Sequence, residues 1–206
     1  MGYTAESLTR AAEEDHVNLV ATCATHRGAF ASAYLGSVSR ALAIGSPTSV
    51  LTAKSGFKTK DELTVVIATD HSNFGWAALS QFQHLAPAGI KELHVISAYD
   101  ISDNDAATLN KTLPMLGGDV DKWLSDTVHA ANDRFIKKLQ EAGYKATGHI
   151  MKGRTNDVIK DFMEKVNADL LVVGSQGHGF FERVRIGSTS VHQVVNEAYP
   201  VLVLRP

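Results

Sequence analysis

Apolar positions along the chain fall into two rhythms. Short continuous runs at 64–69 (TVVIAT), 92–98 (ELHVISA), 145–151, 169–173 and 200–204 predict five strands. Longer stretches with apolar residues three and four apart predict helices over 72–85, 119–142, 156–166 and 189–198, with Gly143 placed to close the second in a left-handed cap. Strands this apolar, alternating with helices, predict an α/β fold with a parallel sheet covered on both faces. Phe135 and Leu139, with Trp123, sit at helical spacing and read as core. The polar stretch 100–118 is a long connection of the kind that often lies over a binding site. Upstream, the same reading gives a helix over 5–15, a strand over 17–22, a helix over 37–44 stopped by Gly45-Ser46-Pro47, and a strand over 49–53.

Those upstream elements repeat the end of the chain. Sliding 17–39 against 168–190 at a constant offset of 151 gives identity at Leu19/Leu170, Gly28/Gly179, Phe30/Phe181, Gly36/Gly187, Ser37/Ser188 and Ser39/Ser190. Both copies continue as helix, proline and short apolar strand, with Pro47 and Pro200 in register after a two-residue shift. The expected organisation is a degenerate half-domain at 1–54, a linker at 55–61 and a complete domain at 62–206.

Composition narrows the function. With 206 residues and 44% hydrophobic content the chain can build one ordinary core, or a domain and a fragment. A net charge of −2 supplies no basic field for nucleic acid, so any anion must be held locally. Without an apolar run of about 18 residues no membrane-spanning helix is expected. The single cysteine, Cys23, forms no intrachain disulfide, and the first residues carry no secretory or myristoylation pattern, so a cytoplasmic location is expected. The nine histidines show no H-x-x-x-H or H-x-H spacing, and no metal site is expected.

Residues 172–190 (VVGSQGHGFFERVRIGSTS) carry the sharpest local chemistry. A buried strand ends at Val173, Gly174 and Gly177 follow three apart, and Gly187-Ser188 opens a helix. Glycines let backbone approach an anion, successive N–H groups form a nest, and a helix N-terminus presents positive charge. Ser188 and Ser190 can add hydroxyl donors. The order G-x-x-G-x-G is not the dinucleotide fingerprint, and no Walker G-K-[ST] occurs. Arg183 and Arg185 lie in the intervening loop, and His71 and His178 flank the expected crevice. No nucleophile–base arrangement can be detected from spacing, so no catalytic residue is assigned.

G174-x2-G177-x9-G187-S188 followed by VHQVVNEAYPVLVLRP resembles the C-terminal signature of universal stress proteins, in particular their ATP-binding branch. The resemblance spans about residues 62 to 206 and includes VVIATDHS, ending a strand at Asp70, and ELHVISAYD, with Val95 in the second strand. It implies that Asp70 holds ribose hydroxyls and that Val95 contacts adenine through its backbone. It places the phosphates on Gly174, Gly177, Gly187, Ser188, Thr189 and Ser190, with Thr189 standing where the family often has Val. It also implies a five-stranded sheet ordered 3-2-1-4-5, whose switch point between the first and fourth strands would hold the ligand.

The expected function is thus an ATP-binding regulatory module of the stress response, possessing at most slow ATPase activity and using Mg²⁺ if it hydrolyses at all. The alternative is a nucleotide-independent dimerisation module of the same fold. In the N-terminal copy, Cys23 and His26 replace the two motif glycines, so no nucleotide is expected there. In family dimers the last strands pair across subunits. Here the strand at 49–53 is expected to pair antiparallel with the C-terminal strand, leaving 17–22 as an edge for a homodimer or strand-exchanged oligomer.

Overall fold

The computed structural model describes residues 4–23, 35–54, 60–99, 111, 120–177 and 186–206, with the side chains of 120–125 excepted. His26, His178, Gly179, Arg183, Arg185, most of the 100–118 connection, the middle of the linker and the Trp123 side chain lie outside the described residues.

The N-terminal segment folds as α1 (Thr4–Glu14), β1 (Leu19–Cys23), α2 (Ser37–Gly45) and β2 (Ser49–Ala53). Next come β3 (Leu63–Ala68), α3 (Asn73–Leu85), β4 (Ile90–Tyr99), α4 (Val120–Glu141), β5 (Ala146–Lys152), α5 (Thr155–Lys165), β6 (Leu170–Gly174), α6 (Ser188–Asn196) and β7 (Val201–Leu204). Gly143 does take a positive φ of 90° behind α4, the left-handed conformation that favours glycine.

All seven strands join one sheet in the order β5-β4-β3-β6-β7-β2-β1, which contains the expected order 3-2-1-4-5 as β5-β4-β3-β6-β7 and is two strands wider than the expected five-stranded sheet. The reason is the β6–β7 edge. Every residue of β7 is buried, and so apolar a strand cannot present an open ladder to water. Its outer side is taken by β2, antiparallel, with Val50 opposite Val203, Leu51 opposite Leu202 and Thr52 opposite Val201. Beyond it β1 pairs parallel to β2 and ends the sheet. Every other pairing is parallel.

Side-chain alternation divides the core into two layers. On one face Leu42, Val50, Val66, Ile96, Ile159, Phe162, Leu171, Val173 and Val194 pack under α2, α5 and α6. On the other Val65, Ile67, Leu79, Phe82, Val95, Phe135, Leu139 and Val172 pack under α3 and α4. Two buried cations tie the N-terminal segment to the rest. Arg205, just past β7, donates from Nη2 to the Ala43 and Ile44 carbonyls at the end of α2, at 2.5 and 3.3 Å. Lys54, just past β2, donates from Nζ to the Val194 carbonyl in the last turn of α6, at 2.6 Å. Each helix therefore has its exposed C-terminal carbonyls met by a cation from the other segment, where the helix dipole favours positive charge.

Candidate functional site

The parallel strands deliver their carboxyl ends to one rim, and the sheet switches direction between β3 and β6. A cleft of about 440 Å³ opens there, within the range of small-molecule sites. Its walls include Asp70 and Thr69 after β3, Ile96 and Ala98 from β4, Thr155 and Ile159 from α5, Gly174, Gln176 and Gly177 after β6, and Ile186 to Ser190 at the start of α6.

The β3 end is fixed by short-range hydrogen bonds. The Thr69 N–H donates to the Ile96 carbonyl at 3.0 Å. The Ser72 N–H donates to Asp70 Oδ1 at 3.0 Å, an Asx turn that fixes the carboxylate. Ser72, not Asp70, caps α3, its Oγ accepting from the Gly75 N–H at 3.1 Å. A Cβ on Gly75 would stand 2.7 Å from Thr69 Oγ1 and 3.2 Å from Asp70 Oδ1, so this glycine lets the turn fold down on the helix.

On the β6 side, a Cβ on Gly177 would stand 2.7 Å from Asp70 Oδ2. The glycine turn and the carboxylate meet closely enough that a methyl group separates them. At the α6 start Gly187 is the N-cap residue and contributes no side-chain bond; its own N–H donates to the Ser175 carbonyl at 2.6 Å. The first carbonyl used within the helix is that of Gly187, which accepts from Val191, so the amides of Ser188, Thr189 and Ser190 precede the intrahelical ladder. Ser188 is exposed and Thr189 half-buried. Ser190 is buried and spends its hydroxyl proton on the Gly174 carbonyl at 2.7 Å, tying α6 to the end of β6. That bond makes Ser190 a brace of the turn, with its oxygen left as an acceptor.

The cleft has a polarity along its length. Among the described residues that line it, Asp70 is the one ionisable side chain. The same lining includes the positive end of α6, made of backbone alone. An anion belongs at the second and hydroxyl donors at the first.

Seven of the eight residues singled out from sequence line this cleft: Asp70, Gly174, Gly177, Gly187, Ser188, Thr189 and Ser190. The Val95 side chain is fully buried in the opposite layer, although the role implied for it involves backbone only. Its neighbours Ile96 and Ala98 supply the apolar wall, as alternation along β4 requires. His71 also lies on the far side. Its backbone adopts φ 55°, its Nε2 meets Ser97 Oγ at 2.7 Å, and its ring packs edge-on against Phe135. Burial lowers its pKa below 6.5, and Arg134 adds to the fall while Asp70 opposes it. The sequence signal for Thr155 and Ile159 was their position just after a strand's carboxyl end, and for Gly75 a glycine inside a first helical turn.

Residues 63–205 match the model of the universal stress protein family. The chain belongs to that family. A curated relative, universal stress protein MJ0531 of Methanocaldococcus jannaschii, is 26% identical over 141 residues, covering 68% of this chain and 81% of that protein. Among solved structures, the Pseudomonas aeruginosa protein PA1789 superposes with a TM-score of 0.67 at 18% identity, covering 100% of this chain and 69% of the other. A universal stress protein from Archaeoglobus fulgidus gives 0.64 at 21% identity, covering 98% and 66%. The likeness of fold thus extends beyond the matched domain into β1, α2 and β2. No helix among the described residues is long and apolar enough to cross a membrane.

Proposed function

We propose that this universal stress protein binds ATP in the cleft at the β3/β6 switch point and acts as a nucleotide-responsive module of the stress response. The observation that carries the reading is that Asp70, the glycine turn and the α6 N-terminus line one cleft. The residues fit the ligand's chemistry. Polyphosphate needs closely spaced N–H donors and no Cβ in the way, which Gly174, Gly177, Gly187 and the amides of Ser188 and Thr189 offer. Ribose hydroxyls need an acceptor, which is Asp70. Adenine needs a flat apolar slot, for which Ile96, Ala98 and Ile159 are placed, with the backbone of β4 around Val95 as its polar edge. Mg²⁺ would sit on the phosphates, since among the described residues the lining offers one carboxylate and no acidic pair. For the same reason binding, not turnover, is the proposed activity.

Residues 1–54 are proposed to be the closing half of a second, degenerate domain of the same type. Leu19 and Val20 in β1, with Val17 before it, are apolar and the strand itself contains no charge or proline, so a homodimer or strand exchange through β1 is proposed for assembly. Substituting Ala21→Pro should then give a monomer by light scattering, whereas a monomeric unsubstituted protein at micromolar concentration would exclude this assembly.

The nucleotide reading is tested by heat-denaturing purified protein, analysing the supernatant for adenine nucleotide, and titrating ATP into the stripped protein. Bound or titratable ATP is expected for the natural sequence and none for Gly177→Arg. Absence of both in the natural sequence would overturn the reading and leave the nucleotide-independent module.

A further inference from the structure

The same face of β4 that forms the cleft wall at Ile96 carries His94 one step nearer the strand's amino end. Register places Thr147 of β5 directly beside His94, and His149 beside Ile96. The three side chains converge. His94 Nδ1 lies 2.9 Å from Thr147 Oγ1 and 3.2 Å from His149 Nε2, and Thr147 Oγ1 lies 3.4 Å from His149 Nε2. Phe162 of α5 packs on both rings, with centroids 5.7 and 4.6 Å away, and fixes their orientation from below.

The Thr147 hydroxyl can close this triangle by donating to His94 Nδ1 and accepting from His149 Nε2, but the 3.2 Å contact between the two ring nitrogens then carries no proton of its own. An imidazole nitrogen carries one proton or one in-plane lone pair, so it serves a single linear hydrogen bond. His94 Nδ1 nevertheless faces two polar neighbours. A cation at the centre would satisfy all three atoms together. Metal–nitrogen bonds of about 2.0 to 2.1 Å in tetrahedral geometry place two ligand nitrogens about 3.3 Å apart, close to the 3.2 Å between His94 Nδ1 and His149 Nε2. The remaining nitrogen of His94, Nε2, lies 3.7 Å from Glu92 Oε2, beyond hydrogen-bond range but close enough for the carboxylate to favour a cation by its charge.

We propose that His94 and His149 form a clamp for a divalent transition-metal ion of the zinc class, bridging β4 and β5. Thr147 Oγ1 and water complete the shell, because no group of three His, Cys, Asp or Glu side chains gathers for a metal among the described residues. Thr147 is exposed on the outermost strand, so the ion enters directly from solvent. Burial, His94 and Lys165 all lower the pKa of His149 from 6.5. Lys165 acts against the ion by its charge and Glu92 acts for it. Imidazole ligands favour zinc, copper and nickel over magnesium or calcium. The clamp and the nucleotide cleft are separate sites on one strand face. Nothing in the spacing along the chain reveals this pair, since its members come from two strands.

The test is calorimetric titration of the full-length protein with Zn²⁺ alone, and separately with Co²⁺, whose visible d–d bands report four-coordination. The double variant His94→Ala/His149→Ala is the reference for background uptake by other histidines. About one ion per chain is expected at neutral pH, weakened at least about tenfold by His94→Ala or by His149→Ala. His149→Gln, which keeps the side chain's bulk over Phe162, should lose the ion just as the alanine variant does, and circular dichroism shows whether each variant is folded. Equal uptake by the natural protein and the double variant, or no uptake by the natural protein at millimolar metal, would overturn the proposal.

Discussion

Val50 and Val203 stand opposite each other across the antiparallel junction of β2 and β7, both with no exposed surface. Each lies three residues beyond a proline, Pro47 or Pro200, so the position is the same in both β-α-β segments. The two segments therefore meet about an approximate two-fold axis at this pair, as two copies do in an isologous dimer. Truncating either valine to alanine should cost about 2 kcal/mol through lost burial and a residual cavity. Because the residues share one site, the double variant should lose less than the sum. Urea denaturation of the four proteins checks both expectations.

Gly177 and Asp70 are predicted to fail differently. A Cβ at Gly177 would lie 2.7 Å from Asp70 Oδ2, so Gly177→Ala should push the carboxylate and turn apart and weaken ATP at least about tenfold. The melting temperature should move little, since the turn lies at the rim. Asp70→Asn keeps the shape and removes the charge, and should weaken adenosine and ATP by similar factors if the residue reads the ribose. Titration calorimetry with both ligands separates the outcomes.

Lys54 gives an alkaline signature. Burial lowers its pKa below 10.5, and Glu197 opposes the fall. Between the folded value and 10.5 the unfolded chain holds the extra proton, so stability from this group rises with pH there, is complete above 10.5 and is lost as pH falls through the folded value. The stability advantage of the natural protein over Lys54→Met should therefore grow from about pH 8 to about pH 10, where thermal melts can follow it.

His71 gives an acidic one. Its pKa lies below 6.5 because its ring is buried, so the unfolded chain takes up the proton first on acidification. Stability from His71 is present above 6.5 and lost as pH falls through the folded value. In urea midpoints measured between about pH 7.5 and about pH 5, His71→Gln should show a shallower decline than the natural protein. An unchanged slope would show that His71 is as open to protons folded as unfolded.

Much of the architecture was legible because it depends on local pattern. Ser49–Ala53 reads as a strand from its apolar run after Gly45-Ser46-Pro47, and it is one. The pairing of that strand with the C-terminal one followed from the repeat and from the need to cover an apolar edge. The lining of the candidate cleft was legible where backbone shapes it, at Gly174, Gly177 and Gly187. It was less so where side chains choose between faces. Val95 and Ile96 are equally apolar, and only the packing of α5 against one layer and α4 against the other decides which meets the cleft. Ser190 reads as a donor to ligand until the turn brings the Gly174 carbonyl within reach. Relations between distant segments, such as Arg205 with Ala43, leave no periodic trace in either segment.

The exchange of Lys54 and Arg205 between the two segments also bears on how the molecule tolerates being cut. Every tie across the β2–β7 seam is noncovalent, and the polypeptide crosses it once, between Lys54 and Lys60. Severing that crossing leaves two pieces that recognise each other by strand pairing and by two mutually inserted cations, which is the logic of a split protein whose halves reassemble when mixed.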